Sequence, residues 1–173
     1  MVSIVSTRFN NETWQENVEY RNKHNKTGCS YGAPYPMSPK ILPESIVFVL
    51  EMNNYKNKIE GIGLLRNKAI FEASANVHTE RNYNRCLYHG KYRVSRDDIE
   101  RMNPILNKIL DHILFKEKTH LKRGIGFTSV PEKLLNHSIC EGINLKNEIR
   151  QLFIDLFKQS KTELAEFDEK EVI

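Results

Sequence analysis

Cysteine is scarce in this sequence of 173 residues. Cys29, Cys86 and Cys140 lie far apart, their number is odd, and no Cys-x-x-Cys pair occurs. Frameworks of disulfides and complete zinc sites need more cysteines at closer spacing. The sequence therefore predicts neither of them.

Long apolar runs are missing as well. No stretch approaches the roughly 18–20 consecutive apolar residues that span a bilayer. The first residues, Met1 to Arg8, lack the basic-then-apolar layout of a signal peptide. We therefore expect a soluble, intracellular protein that is not secreted and has no membrane partner.

Motifs of catalytic or cofactor sites are missing too. The six histidines stand at positions 24, 78, 89, 112, 120 and 137, without His-x-x-x-His or His-Glu-x-x-His spacing. Cys86 and His89 have the spacing of one pair of zinc ligands, but the sequence offers no second pair. No P-loop occurs. We therefore predict no cofactor, no metal and no catalytic set, although a Cys–His dyad formed in space and a nucleic-acid-processing enzyme stay open as alternatives.

What is present is the composition of a globular protein. Apolar residues make up 39% of the chain and charged residues 28%. The length suits one domain with its own core. We expect a single domain over residues 1–160, followed by an acidic, flexible tail over residues 161–173.

The first half of the chain has the pattern of strands. Apolar and β-prone residues predict strands at residues 3–8, 45–52, 58–65 and 68–77, of which the second is nearly all apolar and should be buried on both faces. Residues 87–94 predict a hairpin that turns at Gly90. Two segments interrupt this pattern: a helix from Thr13 to about Lys23, and a long loop over residues 25–43 that is rich in glycine and proline.

The second half changes to helical spacing. A capping box begins at Ser95, and an apolar stripe follows, which Pro104 should break into two helices with Asn103 as the cap of the second. A short helix opens near Pro131, and the last helix starts at Asn144. Strands in one half and helices in the other predict an α+β fold, a small curved antiparallel sheet or partly open β-barrel with flanking helices, mainly C-terminal.

Charge is distributed unevenly along the chain. The net charge is +4, but residues 81–123 hold eleven lysines and arginines against five acids. Such a basic region favours a polyanionic partner, with an ordinary solvated surface as the alternative.

One basic segment precedes a glycine-rich turn. His120, Lys122 and Arg123 lead into Gly124-Ile125-Gly126. Glycines let the backbone approach a ligand closely, and cations beside exposed amides suit a phosphate. The alternative is a structural turn between a helix and a strand.

Two further segments carry candidate binding residues. Three aromatic residues lie in or near the polar, proline-rich segment: Trp14, Tyr31 and Tyr35. Their rings could stack on a base. The alternative for Trp14 is that it anchors the first helix in the core. Arg81 and Arg85, among Asn and Tyr residues, suit phosphate contacts, unless this segment is simply a solvated loop.

The order of these features resembles that of the PUA-like superfamily, in particular its EVE and YTH branches. The matching residues are Ile4-Val5-Ser6-Thr7, then Trp14, then Pro43 to Leu50, then Ile59 to Leu64. The resemblance covers roughly residues 1–130. It implies a partly open β-barrel that binds nucleic acid, with a modified base in an aromatic pocket of which Trp14 would be one wall. Trp14 is the single tryptophan, so Tyr31, Tyr35 or Phe48 would have to replace the other pocket tryptophans.

The chain also resembles uncharacterised proteins of large DNA viruses, which would place it in the cytoplasm or nucleus of a host cell. The leading prediction is an RNA- or DNA-binding module in which Trp14 and a loop tyrosine stack on a base while arginines and lysines contact phosphates. The alternative is a structural or interaction protein without catalysis, such as a virion or assembly component. It would bind a partner or itself through the apolar face of its last helix, residues 145–157.

Overall fold

The computed structural model describes residues 2–71 and 76–158. Its strands are β1 (Ser3–Phe9), β2 (Cys29–Ala33), β3 (Ile46–Asn53), β4 (Lys58–Arg66), β5 (Cys86–Gly90), β6 (Tyr92–Ser95) and β7 (Thr128–Ser129). Its α-helices are α1 (Asn11–Lys23), α2 (Arg96–Met102), α3 (Pro104–Asp111), α4 (Glu132–Leu135) and α5 (Leu145–Leu156). A π-helical turn covers His112–Lys116, and 3₁₀ turns cover Arg81–Asn84, Leu121–Arg123 and Ser138–Cys140.

The main sheet has five strands in the order β6-β4-β3-β1-β7. All neighbouring strands are antiparallel except β1 and β3, which run parallel, with Ile4 opposite Phe48. The predicted α+β class is confirmed. The sheet is mostly antiparallel, and the prediction of an antiparallel sheet fails only at this one pair; the described strands form no closed barrel.

The second sheet consists of β2 and β5 and packs across β4. The contact is closest at Gly63, where an added Cβ would lie 2.2 Å from the hydroxyl of Tyr31 and 2.8 Å from the sulfur of Cys29. Only glycine leaves room for so close an approach. The packing of the second, small sheet against the main sheet therefore depends on Gly63.

Pairing of β2 with β5 corrects two predictions. The segment predicted as a loop, residues 25–43, contains β2, because its backbone finds a partner in β5. The predicted hairpin over residues 87–94 is also wrong. Although Gly90 and Lys91 separate β5 from β6, β5 pairs with β2 and β6 pairs with β4, so the two strands belong to different sheets.

Strand β3 is the centre of the core and is buried on both faces, as predicted. Phe48, Leu50 and Met52 point to one face, where they pack against side chains of α2, α3 and α5. Val47 and Val49 point to the other face, into a second cluster with residues of α1 and the small sheet. Glu51 follows at the same two-residue spacing and is therefore carried into the interior on this second face.

The helix boundaries confirm most of the capping predictions. Ser95 caps α2 in a capping box with Asp98, Asn103 caps α3 with Pro104 at its first turn, and Asn144 caps α5. Helix α1 starts two residues before the predicted Thr13. Its cap is Asn10, and Thr13 is the third helical residue, whose hydroxyl completes the capping box.

The apolar face of α5 packs inside the chain's own core. Leu145, Ile149, Leu152 and Phe153 are buried, and the ring of Phe153 lies 5.4 Å from that of Phe48, centroid to centroid. These side chains of the face are therefore occupied within the chain's own core, and binding of a partner or of a second copy through this helix stays a prediction.

Two predictions involve residues outside the described ranges. The third strand, residues 68–77, is not found in its described part, where Ile70 forms one isolated bridge with Leu87, and residues 72–75 are not described. The acidic tail over residues 161–173 lies wholly outside the described residues. Within the described part of the chain, no helix has the length and apolar character needed to cross a bilayer.

Candidate functional site

A polar pocket of about 440 Å³ lies beside helix α1. We call it the Trp14 pocket. Strand β6, the start of α2 and the turn between β3 and β4 supply most of its wall. Its lining residues are Trp14, Arg21, Lys56, Lys58, Glu60, Arg93, Ser95, Arg96 and Asp97. Five cationic side chains thus surround one pocket that has two acidic side chains in its wall.

The indole of Trp14 is a core element and not an open platform. The residue is 8% exposed, and the ring packs edge-on against Phe9 at a centroid distance of 5.1 Å. The guanidinium carbons of Arg21 and Arg93 both lie over the ring, 5.6 Å from its centroid. The guanidinium groups of Arg21 and Arg93 occupy the space that a stacked base would need. The prediction that Trp14 stacks on a base is therefore wrong.

Arg93 enters the interior from β6 and meets the buried carboxylate of Glu51. Its Nε donates to Oε1 at 2.9 Å and its Nη2 to Oε2 at 2.6 Å. Burial by itself would lower the pKa of Arg93, but the charge and hydrogen bonds of Glu51 outweigh it and raise that pKa. Arg93 is therefore firmly cationic and largely neutralised by one internal partner.

Tyr31 belongs to the same network and is fully buried. Its hydroxyl donates a hydrogen bond of 2.7 Å to Oε1 of Glu51. Burial, together with the negative charge of Glu51, raises the pKa of Tyr31. The predicted surface role of Tyr31 is wrong, because β2 places this side chain between the two sheets.

Arg21 is one of two cations of the Trp14 pocket that have no ion pair among the described residues. Its Nε donates to Oδ1 of Asn17 at 3.0 Å, and among the described residues no carboxylate pairs with it. Burial and the nearby charge of Arg93 lower the pKa of Arg21 by more than the negative charge of Glu51 raises it. An anion in the pocket would relieve this repulsion between two guanidinium groups.

The remaining cations of the Trp14 pocket differ in their pairing. Arg96 forms an ion pair with Asp111 at 2.8 Å, and Lys56 lies 3.6 Å from Glu60. Lys58 is exposed and has no ion pair within the described ranges. Lys58 and Arg21 therefore provide the unpaired positive charge of this pocket.

A second concavity, which we call the Arg8 cleft, has a volume of about 290 Å³. Its described lining includes two cations and no acidic side chain. Three segments of interest in the sequence meet here: the proline-rich stretch after β2, the segment around residues 78–85, and the glycine turn before β7. The lining residues are Thr7, Arg8, Phe9, Asn10, Thr13, Gly32, Pro34, Asn54, His78, Tyr83, Lys122, Gly124, Ile125 and Gly126.

Arg8 is held in this cleft by neutral oxygen atoms. Its Nη1 donates to the carbonyl of Leu121 at 2.8 Å, and its Nη2 donates to the carbonyl of Gly126 and to the hydroxyl of Thr128. No carboxylate pairs with Arg8 among the residues that the structure describes. Burial lowers the pKa of Arg8 to about 10. The cleft therefore contains a partly desolvated cation without a negative partner, which favours an anionic ligand.

The turn between β3 and β4 is common to both concavities. Asn54 of this turn lines the Arg8 cleft, whereas Lys56 of the turn and Lys58, the first residue of β4, line the Trp14 pocket. Lys122 is tied to this turn because its Nζ donates to Oδ1 of Asn57 at 2.6 Å. Tyr55, at the tip of the turn, is 72% exposed. Sequence reasoning missed Tyr55 because one tyrosine in a polar turn has no distinctive pattern.

The candidate binding residues predicted from the sequence do not all lie in the same concavity. Lys122 lines the Arg8 cleft and Trp14 lines the other pocket, whereas the remaining exposed candidates line neither of them. These are Tyr35, Arg81, Arg85, His120 and Arg123. Arg8, Arg21, Arg93 and Arg96 were missed, because each stands within or beside a strand or helix where a cation is usually assigned to the solvated surface.

Catalytic chemistry by cysteine finds no support in the structure. Cys29, Cys86 and Cys140 are all buried, and burial raises the pKa of each thiol, that of Cys29 to about 12. A thiol with a raised pKa is a poor nucleophile at neutral pH.

One group of possible metal ligands occurs among the described residues. His112, Glu117 and His137 lie close together and line neither basic concavity. The sequence did not reveal this group, because its members are five and twenty residues apart and form no known ligand motif.

Similarity to known proteins assigns no function to this chain, so the fold and the two concavities are the basis for one. No protein-family model matches the chain, and neither a curated protein nor a solved structure matches it. The structure defines an α+β protein with a mostly antiparallel five-stranded sheet and two adjoining basic concavities.

Proposed function

We propose that this protein binds single-stranded nucleic acid, RNA or DNA, across the Trp14 pocket and the Arg8 cleft. The observation that supports this proposal is the convergence of cations from distant parts of the sequence on two concavities that share one turn. These cations are Arg8, Arg21, Lys56, Lys58, Arg93, Arg96 and Lys122. Repeated cationic groups along a surface suit a ligand with repeated phosphates.

The unpaired cations identify where phosphates would be bound. Arg21 and Lys58 in one concavity, and Arg8 in the other, have no carboxylate partner among the described residues. A phosphate at each place would supply the missing negative charge and accept charge-assisted hydrogen bonds. Two such places on either side of one turn favour a chain of phosphates over a single small anion.

Tyr55 supplies the contact that would distinguish a nucleic acid from other polyanions. Its exposed ring stands on the turn between the two concavities. An exposed aromatic ring beside cationic groups is the usual platform for an unpaired base. We therefore place a base on Tyr55 in this proposal, in the role that the sequence suggested for Trp14.

The relation to PUA-like domains remains a prediction from the order of sequence features. A modified base in a pocket walled by Trp14 does not form part of the proposal, because Arg21 and Arg93 lie over that ring. General recognition of phosphates and one stacked base requires no such pocket.

The experiment that tests the proposal is fluorescence anisotropy with short labelled RNA and DNA oligonucleotides over a range of salt. We expect affinity to fall steeply between about 50 and 200 mM salt, because phosphate contacts release counterions. Lys56→Glu with Lys58→Glu should weaken binding and reduce the salt slope by at least about 0.7, the contribution of one contact to a single strand, because Lys58 is one of the unpaired cations.

A matched control is Lys108→Glu with Lys133→Glu, which changes the net charge equally at exposed positions outside both concavities. This control should retain most of the affinity. Absence of binding at low salt, or equal weakening by both double variants, would refute the proposed surface.

A further inference from the structure

We propose that His112, Glu117 and His137 form a binding site for one divalent transition-metal ion of the zinc type. The Nε2 atoms of both histidines point at the same carboxylate oxygen. Oε1 of Glu117 lies 2.9 Å from Nε2 of His112 and 3.0 Å from Nε2 of His137. One ligand atom from each of the three side chains lies within 4.8 Å of the others.

The backbone brings these residues together in two ways. The π-helical turn over His112–Lys116 separates His112 from Glu117 by five residues, which is the interval of hydrogen bonding in a π-helix. Residues five apart therefore lie on one side of the chain here, which an ordinary α-helix would not achieve. His137 follows α4, which packs against the π-helical turn.

Two imidazole nitrogens and one carboxylate oxygen are a recognised ligand set for zinc and related ions. In a tetrahedral site with bonds of about 2.0–2.2 Å, ligand atoms stand about 3.4 Å apart. The present distances require small movements to reach that value. Three protein ligands would leave a further position for water or another ligand.

Access to the cluster is also suitable. The three side chains are 26–31% exposed, so an ion can enter without unfolding the surrounding elements. The imidazole rings lie 5.5 Å apart, centroid to centroid, at an angle of 47°. Two rings at this distance and angle can each direct one nitrogen at the same metal ion.

Metal binding would change the hydrogen bonds that His137 makes. Its Nδ1 accepts a hydrogen bond of 3.1 Å from the amide of Ile139, so in this tautomer the proton is on Nε2 and is donated to Glu117. Coordination through Nε2 requires that proton to move to Nδ1 by exchange with water. The Ile139 amide would then lose its acceptor, and its environment reports on binding.

The test is titration of the full chain with Co²⁺, followed by visible absorption, and with Zn²⁺, followed by calorimetry. We expect one ion per chain, with cobalt bands typical of mixed nitrogen and oxygen ligands. In two-dimensional NMR, the amide signal of Ile139 should shift in step with the titration, whereas a non-specific ion would leave it unchanged.

Glu117→Gln, His112→Asn and His137→Asn should each weaken binding by more than about tenfold, since loss of a ligand exceeds loss of a supporting contact. His120→Asn, at an exposed position outside the cluster, is the control and should bind as the native chain does. Glu117→Gln preserves size and hydrogen bonding, so it tests the site even if a histidine variant fails to fold. No saturable binding of either ion, or unchanged binding by Glu117→Gln, would show that the cluster is only a hydrogen-bonded clamp.

Discussion

The guanidinium of Arg93 binds the fully buried carboxylate of Glu51 through two of its three nitrogen atoms. Nε and Nη2 of Arg93 donate to the two carboxylate oxygens at 2.9 and 2.6 Å. The same guanidinium lies over the ring of Trp14. This ion pair therefore links the interior between the two sheets to the wall of the Trp14 pocket, and it sets the position of the pocket's deepest cation.

Glu51→Gln should lower the free energy of unfolding by about 3–5 kcal/mol. The change leaves Arg93 buried without its counterion, and an uncompensated buried charge is strongly destabilising. Urea denaturation followed by circular dichroism measures the difference.

The control for this change is Glu44→Gln, which removes an exposed ion pair with Lys68 at 3.2 Å. Exposed pairs contribute about 0–1 kcal/mol, so this variant should stay close to the native stability. Equal stability of both variants would mean that the Glu51–Arg93 pair has no special structural role.

Tyr55→Ala should reduce affinity for oligonucleotides by about 1–3 kcal/mol, the range found when one stacked base loses its aromatic partner. Binding to a polyanion without bases, such as polyphosphate, should not change. Anisotropy and competition measurements on Tyr55→Ala and on Tyr35→Ala, another exposed tyrosine outside both concavities, separate the two contributions. An equal effect of the two variants would remove Tyr55 from the proposed interface.

Glu16 should make the stability depend on pH in the acid range. Its Oε2 lies 2.8 Å from Nδ1 of His78, and its Oε1 accepts from the amide of Thr79. Partial burial alone would raise the pKa of Glu16, but the hydrogen bonds of Thr79 and His78 outweigh it, and the pKa falls below its usual 4.5. A lowered pKa means that folding favours the ionised form, so this contribution is complete above pH 4.5 and disappears as pH falls through the folded-state pKa.

Glu16→Gln is the variant that tests this dependence. It should cost about 1.5 kcal/mol at neutral pH, the scale of a hydrogen bond to a charged group. The difference from the native protein should vanish in strong acid, where both side chains are neutral. Denaturation curves over a pH series measure it, and a constant difference at every pH would contradict the assignment.

Phe153→Ala should destabilise the protein by about 3–5 kcal/mol, the range for removal of a large buried aromatic side chain. Phe153 is buried against Phe48 at the centre of the helical face of the sheet. Because α5 packs in the core, the same change should leave the mass in solution unaltered at temperatures where the variant is folded. Thermal denaturation and light scattering check both results, and a loss of self-association without a loss of stability would contradict this packing.

Much of the secondary structure could be predicted because its signals are local. Asn103 and Asn144 mark helix starts through side-chain oxygens that satisfy nearby amides, and the apolar run of β3 indicates a strand buried on both faces. Gly90 misled the prediction, because a glycine between two strands indicates a tight turn but does not reveal which partner each strand selects. Strand pairing depends on contacts between residues distant in sequence, which a local pattern does not encode.

The sequence by itself determined the α+β class, the caps of α2, α3 and α5, and the general excess of positive charge in the middle of the chain. The tertiary structure alone decided which cations share a concavity. Arg8 and Lys122, 114 positions apart in the chain, meet in one cleft, while Trp14 of α1 packs against Phe9 and Tyr31 is buried between the two sheets. The physical reason is that burial and charge pairing depend on distances in space, and the fold sets these only when all strands and helices have packed together.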